Sequence, residues 1–139
     1  MTYWIKSNSA TDFNLDAWMR DHSEVSWRRT NLFEVGDIVF MYATAPVQRL
    51  TYVFRVEKLF VTPPAEQSLY WGKSRKVLKP VQHDLLKLVQ RIPRDKKLSL
   101  IDLQQHGMSG RLQGGRKVSG HLLDYTCRGY GPVLRVARW

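Results

Sequence analysis

The sequence predicts an α+β or small-barrel fold, and three observations carry that prediction. Runs rich in aromatic and β-branched residues recur between clusters of Gly, Pro and Asn, which is the pattern of short strands joined by turns. The helical patterns between them are short and do not alternate strictly with the strands, which argues against a doubly wound parallel sheet. At 139 residues with 43% hydrophobic content, the chain suits a single domain over residues 1–139 with one real core.

The elements follow in order. Thr2–Ser7 reads as a strand, and Thr11–His22 as a helix capped by Thr11 or Asp12. In that helix Leu15, Trp18 and Met19 share one face at i, i+3 and i+4. A turn at Glu34-Val-Gly-Asp37 feeds Ile38–Tyr42, a run apolar on both faces and therefore a central strand. Leu50–Phe60 is a long strand ended by Pro63-Pro64. Asp84–Arg91 suits strand or helix by length and leans to strand. Leu98–His106 reads as a helix with Ser99 as its N-cap, Asp102 at the third helical position and Leu98 stapled to Leu103. Ser109–Lys117 reads as a glycine-rich basic loop, Ser119 as the cap of a short helix through Tyr125, and Val133–Val136 as a last strand.

Charge is the unusual feature. The chain carries 22 Lys+Arg against 12 Asp+Glu, a net +10. Residues 1–71 are nearly balanced, with 7 basic and 8 acidic side chains, whereas residues 72–139 hold 15 and 4. An excess confined to half of a small domain suggests a surface for a polyanion, although electrostatics alone does not select a base. The polar start of the chain has no signal-peptide core, and no apolar run approaches a membrane span, so a cytoplasmic protein without membrane attachment is expected.

Enzymatic signatures are sparse. The histidines at 22, 83, 106 and 121 lack metal-ligand spacing, and there is no nucleophile elbow or Walker loop. Cys127 is the only cysteine, which excludes an intrachain disulfide. The expectation is a non-catalytic chain without cofactor or metal.

Aromatic residues offer more. Trp27 precedes Arg28 and Arg29, and Trp71 sits in Leu69-Tyr-Trp-Gly-Lys73. Two such rings can hold a flat nucleobase, each stack contributing ~1–3 kcal/mol, while Arg28, Arg29 and Lys73 hold the backbone. Ser7, Asn8 and Asn31 suit base edges and are equally good turn residues. Arg111, Arg116 and Lys117, set among Gly110, Gly114 and Gly115, make the basic loop a candidate phosphate contact.

These residues also carry a resemblance. Tyr3-Trp-Ile-Lys-Ser-Asn8, Val25-Ser-Trp-Arg-Arg-Thr-Asn31 and Val35-Gly-Asp-Ile-Val-Phe-Met-Tyr42 look like an EVE domain of the PUA-like superfamily. Leu98–Leu103 and Gly114–Tyr125 resemble its continuation in modification-dependent restriction endonucleases, where the domain is often fused to an HNH nuclease. The match covers roughly residues 2–126, and the YTH readers of methylated adenine share the Ile-Lys-Ser-Asn opening. The resemblance implies a PUA-like small β-barrel with flanking short helices and a pocket for one flipped, modified base. It makes Trp27 and Trp71 the walls of an aromatic cage, Ser7 and Asn8 contacts to base edge or sugar, and Lys6 a phosphate contact. Tyr42 and Asn31 are further base contacts by their place at strand and loop ends. Arg28 stands where methyl-adenine readers carry Ser or Cys, which favours 5-methyl- or 5-hydroxymethylcytosine in DNA. The implied partners are nucleic acid, with DNA favoured over RNA, and a nuclease partner or fused nuclease domain. The alternatives are an RNA-binding module indifferent to modification and a small PUA-like ribonuclease.

Overall fold

The computed structural model describes residues 1–72, 82–110, 112 and 114–128. The described chain contains β1 (Tyr3–Asn8), α1 (Leu15–Met19), β2 (Glu24–Arg28), β3 (Ile38–Ala43), β4 (Arg49–Val61) and a 3₁₀ turn at Ala65–Tyr70. There follow β5 (His83–Arg91), α2 (Leu100–Gln105), β6 (Gly115–Val118) and α3 (Gly120–Arg128). The six strands form one sheet in the order β2-β5-β4-β3-β1-β6, antiparallel throughout except for the parallel pair β1 and β3. The fold is α+β, as expected.

The central position of β3 explains why its residues are apolar on both faces. Val39 and Met41 point into an inner core with Trp4, Trp18, Trp27 and Phe54. Ile38, Phe40 and Tyr42 point into an outer core with Ile5 and Leu103. The sheet curls around the inner core so that β1, near one edge, meets the segment after β2 at the other. There the Lys6 ammonium donates to Thr30 Oγ1 at 2.6 Å and to Asn31 Oδ1 at 2.9 Å. Side chains, rather than a strand ladder, bridge this seam.

Local chemistry fixes the outer elements. Ser99 and Asp102 form the reciprocal capping box that starts α2, and Leu98 and Leu103 are both buried beside it. His106, at the C-terminal end of α2, stacks on Tyr125 of α3 at 3.6 Å and shares a 3.0 Å hydrogen bond with His121. Buried Asp37 gathers the amides of Thr2 and Glu34 and the Trp4 indole N–H, which anchors the start of β1.

Two expectations change. The first helix is shorter than Thr11–His22, because Asn14 rather than Thr11 or Asp12 caps it by accepting from the Ala17 amide. The preceding backbone is committed elsewhere. Phe13 bridges Trp71, the Asn14 amide donates to the Tyr70 carbonyl, and the Gly72 amide donates to the Asp12 carbonyl. The basic stretch Ser109–Lys117 is not wholly a loop either. Gly115–Val118 is extended as β6 because β1 offers it a free edge, pairing Lys6 with Gly115 and Trp4 with Lys117. The strand expected at Val133–Val136 lies outside the described residues. Among the described residues no helix is long and apolar enough to cross a membrane.

Candidate functional site

Strand alternation decides which residues of β1 share a face. Trp4, Lys6 and Asn8 turn inward, and Ile5 and Ser7 turn outward. Lys6 is 7% exposed, and among the described residues its ammonium meets two neutral oxygens and no carboxylate. Burial therefore pushes its pKa below the ordinary lysine value. Two residues on, Asn8 is 9% exposed, and its side-chain amide has no hydrogen bond among the described residues. A buried cation without a counter-charge is costly unless a ligand supplies one.

The opposite side of the seam is equally specific. An added Cβ on Gly115 would lie 2.7 Å from Asn31 Oδ1, so the bare glycine opposite Lys6 makes room for the Asn31 amide. Lys117, one pair along on the same face, holds its ammonium 5.7 Å from the Trp4 ring centre and is exposed. Lys6 and Asn31 thus meet at the seam, with Asn8 and, beside Trp4, Lys117 farther along the same face.

Trp27 and Trp71 belong to one aromatic cluster. Each packs edge-to-face on Phe13, with ring centres 5.7 and 5.0 Å away. Trp27 is 9% exposed and Trp71 half-buried, so Phe13 supports both indoles. Behind β2, buried Gln67 accepts from the Ser26 amide and donates to its carbonyl, and Ser26 Oγ lies 3.1 Å from His83 Nδ1. This network fixes the strand that carries Trp27.

Other candidates lie elsewhere. Ser7 accepts from the Gly114 amide on the outward face, and Tyr42, its partner in β3, is buried in the outer core. The structure does not bring either to the face of Lys6 and Asn8. Arg116 follows the outward alternation and donates to the Ser109 carbonyl. Arg28 is exposed on the side of β2 away from Trp27. Arg29 is bound at 2.8 Å to Asp84, which is fully buried. Lys73 and Arg111 lie outside the described residues. Sequence reasoning missed Phe13, Thr30 and Asp84. Thr30 is the most legible in retrospect, lying between Arg29 and Asn31 in a segment already singled out.

Lys6 gives a direct stability test. Because its native pKa is lowered, the unfolded chain holds more protons between that native value and the ordinary value of 10.5. Stability contributed by this group therefore rises with pH across that window and is lowest below it. Lys6→Met should remove this upward slope from the pH dependence of the denaturation midpoint. An unchanged slope would show that Lys6 is solvated.

Comparison with solved structures places this architecture. The chain is similar to ZmASCH, the ASCH protein of Zymomonas mobilis, in a structure of a serine-to-alanine variant (TM-score 0.62, 14% identity, covering 91% of this chain and 95% of that one). It is also similar to protein Atu2648 from Agrobacterium tumefaciens (TM-score 0.60, 17% identity, 93% of each chain). A third match is Rpa0253 from Rhodopseudomonas palustris (TM-score 0.59, 12% identity, 94% of each chain). The curled six-stranded sheet, like that of these structures, is a half-barrel consistent with the PUA-like fold expected from the sequence. No family model and no curated protein matches the sequence.

Proposed function

We propose that this chain is a non-catalytic nucleic-acid reader that holds one nucleotide at the seam between β1 and β2. The observation that carries the reading is Lys6, a buried ammonium whose partners among the described residues are neutral oxygens, with Asn8 two residues along on the same face. A phosphate supplies the missing charge, and a base edge supplies donors and acceptors for Asn8 and Asn31. The net charge of +10 draws the strand in, with Lys117 on the rim. The likeness of the fold to an ASCH protein and the resemblance of the sequence to EVE domains both support a PUA-like nucleic-acid module.

The base flips out of its stack at a cost of a few kcal/mol, offset by stacking against Trp27 and Trp71, which both rest on buried Phe13. A modified cytosine in DNA is the favoured base. One buried methyl adds ~1 kcal/mol, so discrimination is modest. Joined to a nuclease, such a reader would serve a restriction system that targets modified DNA.

The test is a titration with matched labelled oligonucleotides carrying C, 5-methyl-C, 5-hydroxymethyl-C, A or methyl-A in DNA and RNA, at several salt concentrations. Saturable binding that favours a modified base and is abolished by Lys6→Met supports the reading. Equal affinity for all bases makes the chain an RNA- or DNA-binding module indifferent to modification. A lysine with a lowered pKa also suits proton transfer, which is the specific support for a ribonuclease. Strand breaks in the same RNA samples, with or without divalent metal, would replace the reader with that enzyme.

A further inference from the structure

Phe60 is the most anomalous residue at this end of the barrel. It is an aromatic residue in the left-handed region, at φ +56°, and 58% exposed. Bulky non-glycine residues rarely adopt that conformation, and they persist in it only where surrounding contacts enforce it. The sheet register slips just before it, between Val56 and Lys58, and again across it, between Lys58 and Val61.

The contacts beneath the ring show what enforces the conformation. The Arg29 guanidinium carbon lies 4.2 Å from the Phe60 ring centre. Asp84 binds that guanidinium at 2.8 Å, and the same oxygen accepts from the Phe60 amide at 3.4 Å. The other oxygen of Asp84 is buried and has no hydrogen-bond partner among the described residues. A strained backbone and a half-satisfied buried carboxylate therefore meet at one point. Together they fix a cation beneath an exposed phenyl ring.

The residues beneath that ring adjoin the candidate site: Asp84 pairs with Trp27 across β2 and β5, and Arg29 stands in sequence two residues from Trp27 and two from Asn31. A cation under one face of a phenyl ring draws electron density toward itself. The opposite face then favours an electron-rich π system, and a nucleobase is such a system.

We infer that Phe60, backed by Arg29 and Asp84, is a second stacking platform. It receives the base of the nucleotide next to the one held at the seam. The inference rests on the reader proposed above and assigns that site a single-stranded or locally unstacked strand rather than an isolated nucleotide.

The experiment uses a nine-nucleotide single-stranded DNA with a central 5-methylcytosine, alongside versions made abasic on either side of the centre and the free mononucleotide. Phe60→Gly should lose roughly ten-fold in affinity for the intact strand, the scale of one lost base stack. Its affinity for the mononucleotide should not change. Phe60→Trp should retain binding. One flanking abasic site should cost the wild type a similar factor and cost Phe60→Gly nothing further. Because glycine tolerates φ +56°, Phe60→Gly should keep its melting temperature, which a merely structural role would not predict. Unchanged strand affinity in Phe60→Gly, with Lys6→Met still defective, would overturn the platform and leave the reader intact. A wild type that binds neither strand nor mononucleotide would overturn both.

Discussion

Trp27→Ala should be the most damaging single substitution for both stability and binding. The indole is 9% exposed and braced edge-to-face on Phe13. Truncating a buried tryptophan costs ~3–5 kcal/mol, a large share of the ~5–15 kcal/mol that holds a domain of this kind together. Thermal denaturation should register a partly unfolded or strongly destabilised protein. Trp27→Phe, which keeps most of the packing, carries the binding question. It should fold and retain salt-dependent background affinity while losing most of its preference for a modified base. Full preference in Trp27→Phe would remove the indole from base recognition.

The second large effect is expected at Gly72, which no chemical motif marks. A Cβ there would lie 1.7 Å from the Thr11 carbonyl oxygen, a backbone atom that cannot swing aside. The Gly72 amide donates to the Asp12 carbonyl, and the neighbouring residue is Trp71 on its Phe13 bridge. Gly72→Ala should separate these two segments and cost ~3 kcal/mol or more. The melting temperature should fall by about 10 °C, with Trp71 fluorescence shifted toward that of an exposed indole. A melting temperature within one or two degrees of wild type would mean that the Thr11 segment relaxes freely.

These two sites show what the sequence reveals and what it conceals. Short-range chemistry is legible. Ser99 and Asp102 announce α2, the doubly apolar run at Ile38 announces a central strand, and the composition of Asp84–Arg91 leans correctly to β. The face of Trp18 is equally clear, because helical spacing places Leu15 and Met19 beside it. Competition between local signals is less legible. Thr11, Asp12 and Asn14 are all acceptable caps, and the choice falls to Asn14 because Phe13 is drawn into a strand bridge 58 residues away in sequence. The glycines at 114 and 115 suggest a loop, yet the free edge of β1 makes a strand of the residues that follow.

The site divides in the same way. Asn8, Asn31 and Trp27 are legible as candidates by residue type, and Lys6 through the resemblance to EVE domains. That Ser7 and Tyr42 face away follows only from the register of β1 against β3. The Lys6–Thr30 bond and the left-handed Phe60 depend on how the sheet curls and bulges, which no local pattern encodes.

The seam itself has a mechanical consequence. Where most neighbouring strands are zipped by amide ladders, the line between Lys6 and Asn31 is held by a few polar side chains, and it is the natural place for the wall to breathe. A guest wedged there would act as a fastener. Its arrival should slow deuterium uptake at the backbone amides of Thr30, Asn31 and Gly115 well before it alters exchange in the strands at the middle of the sheet.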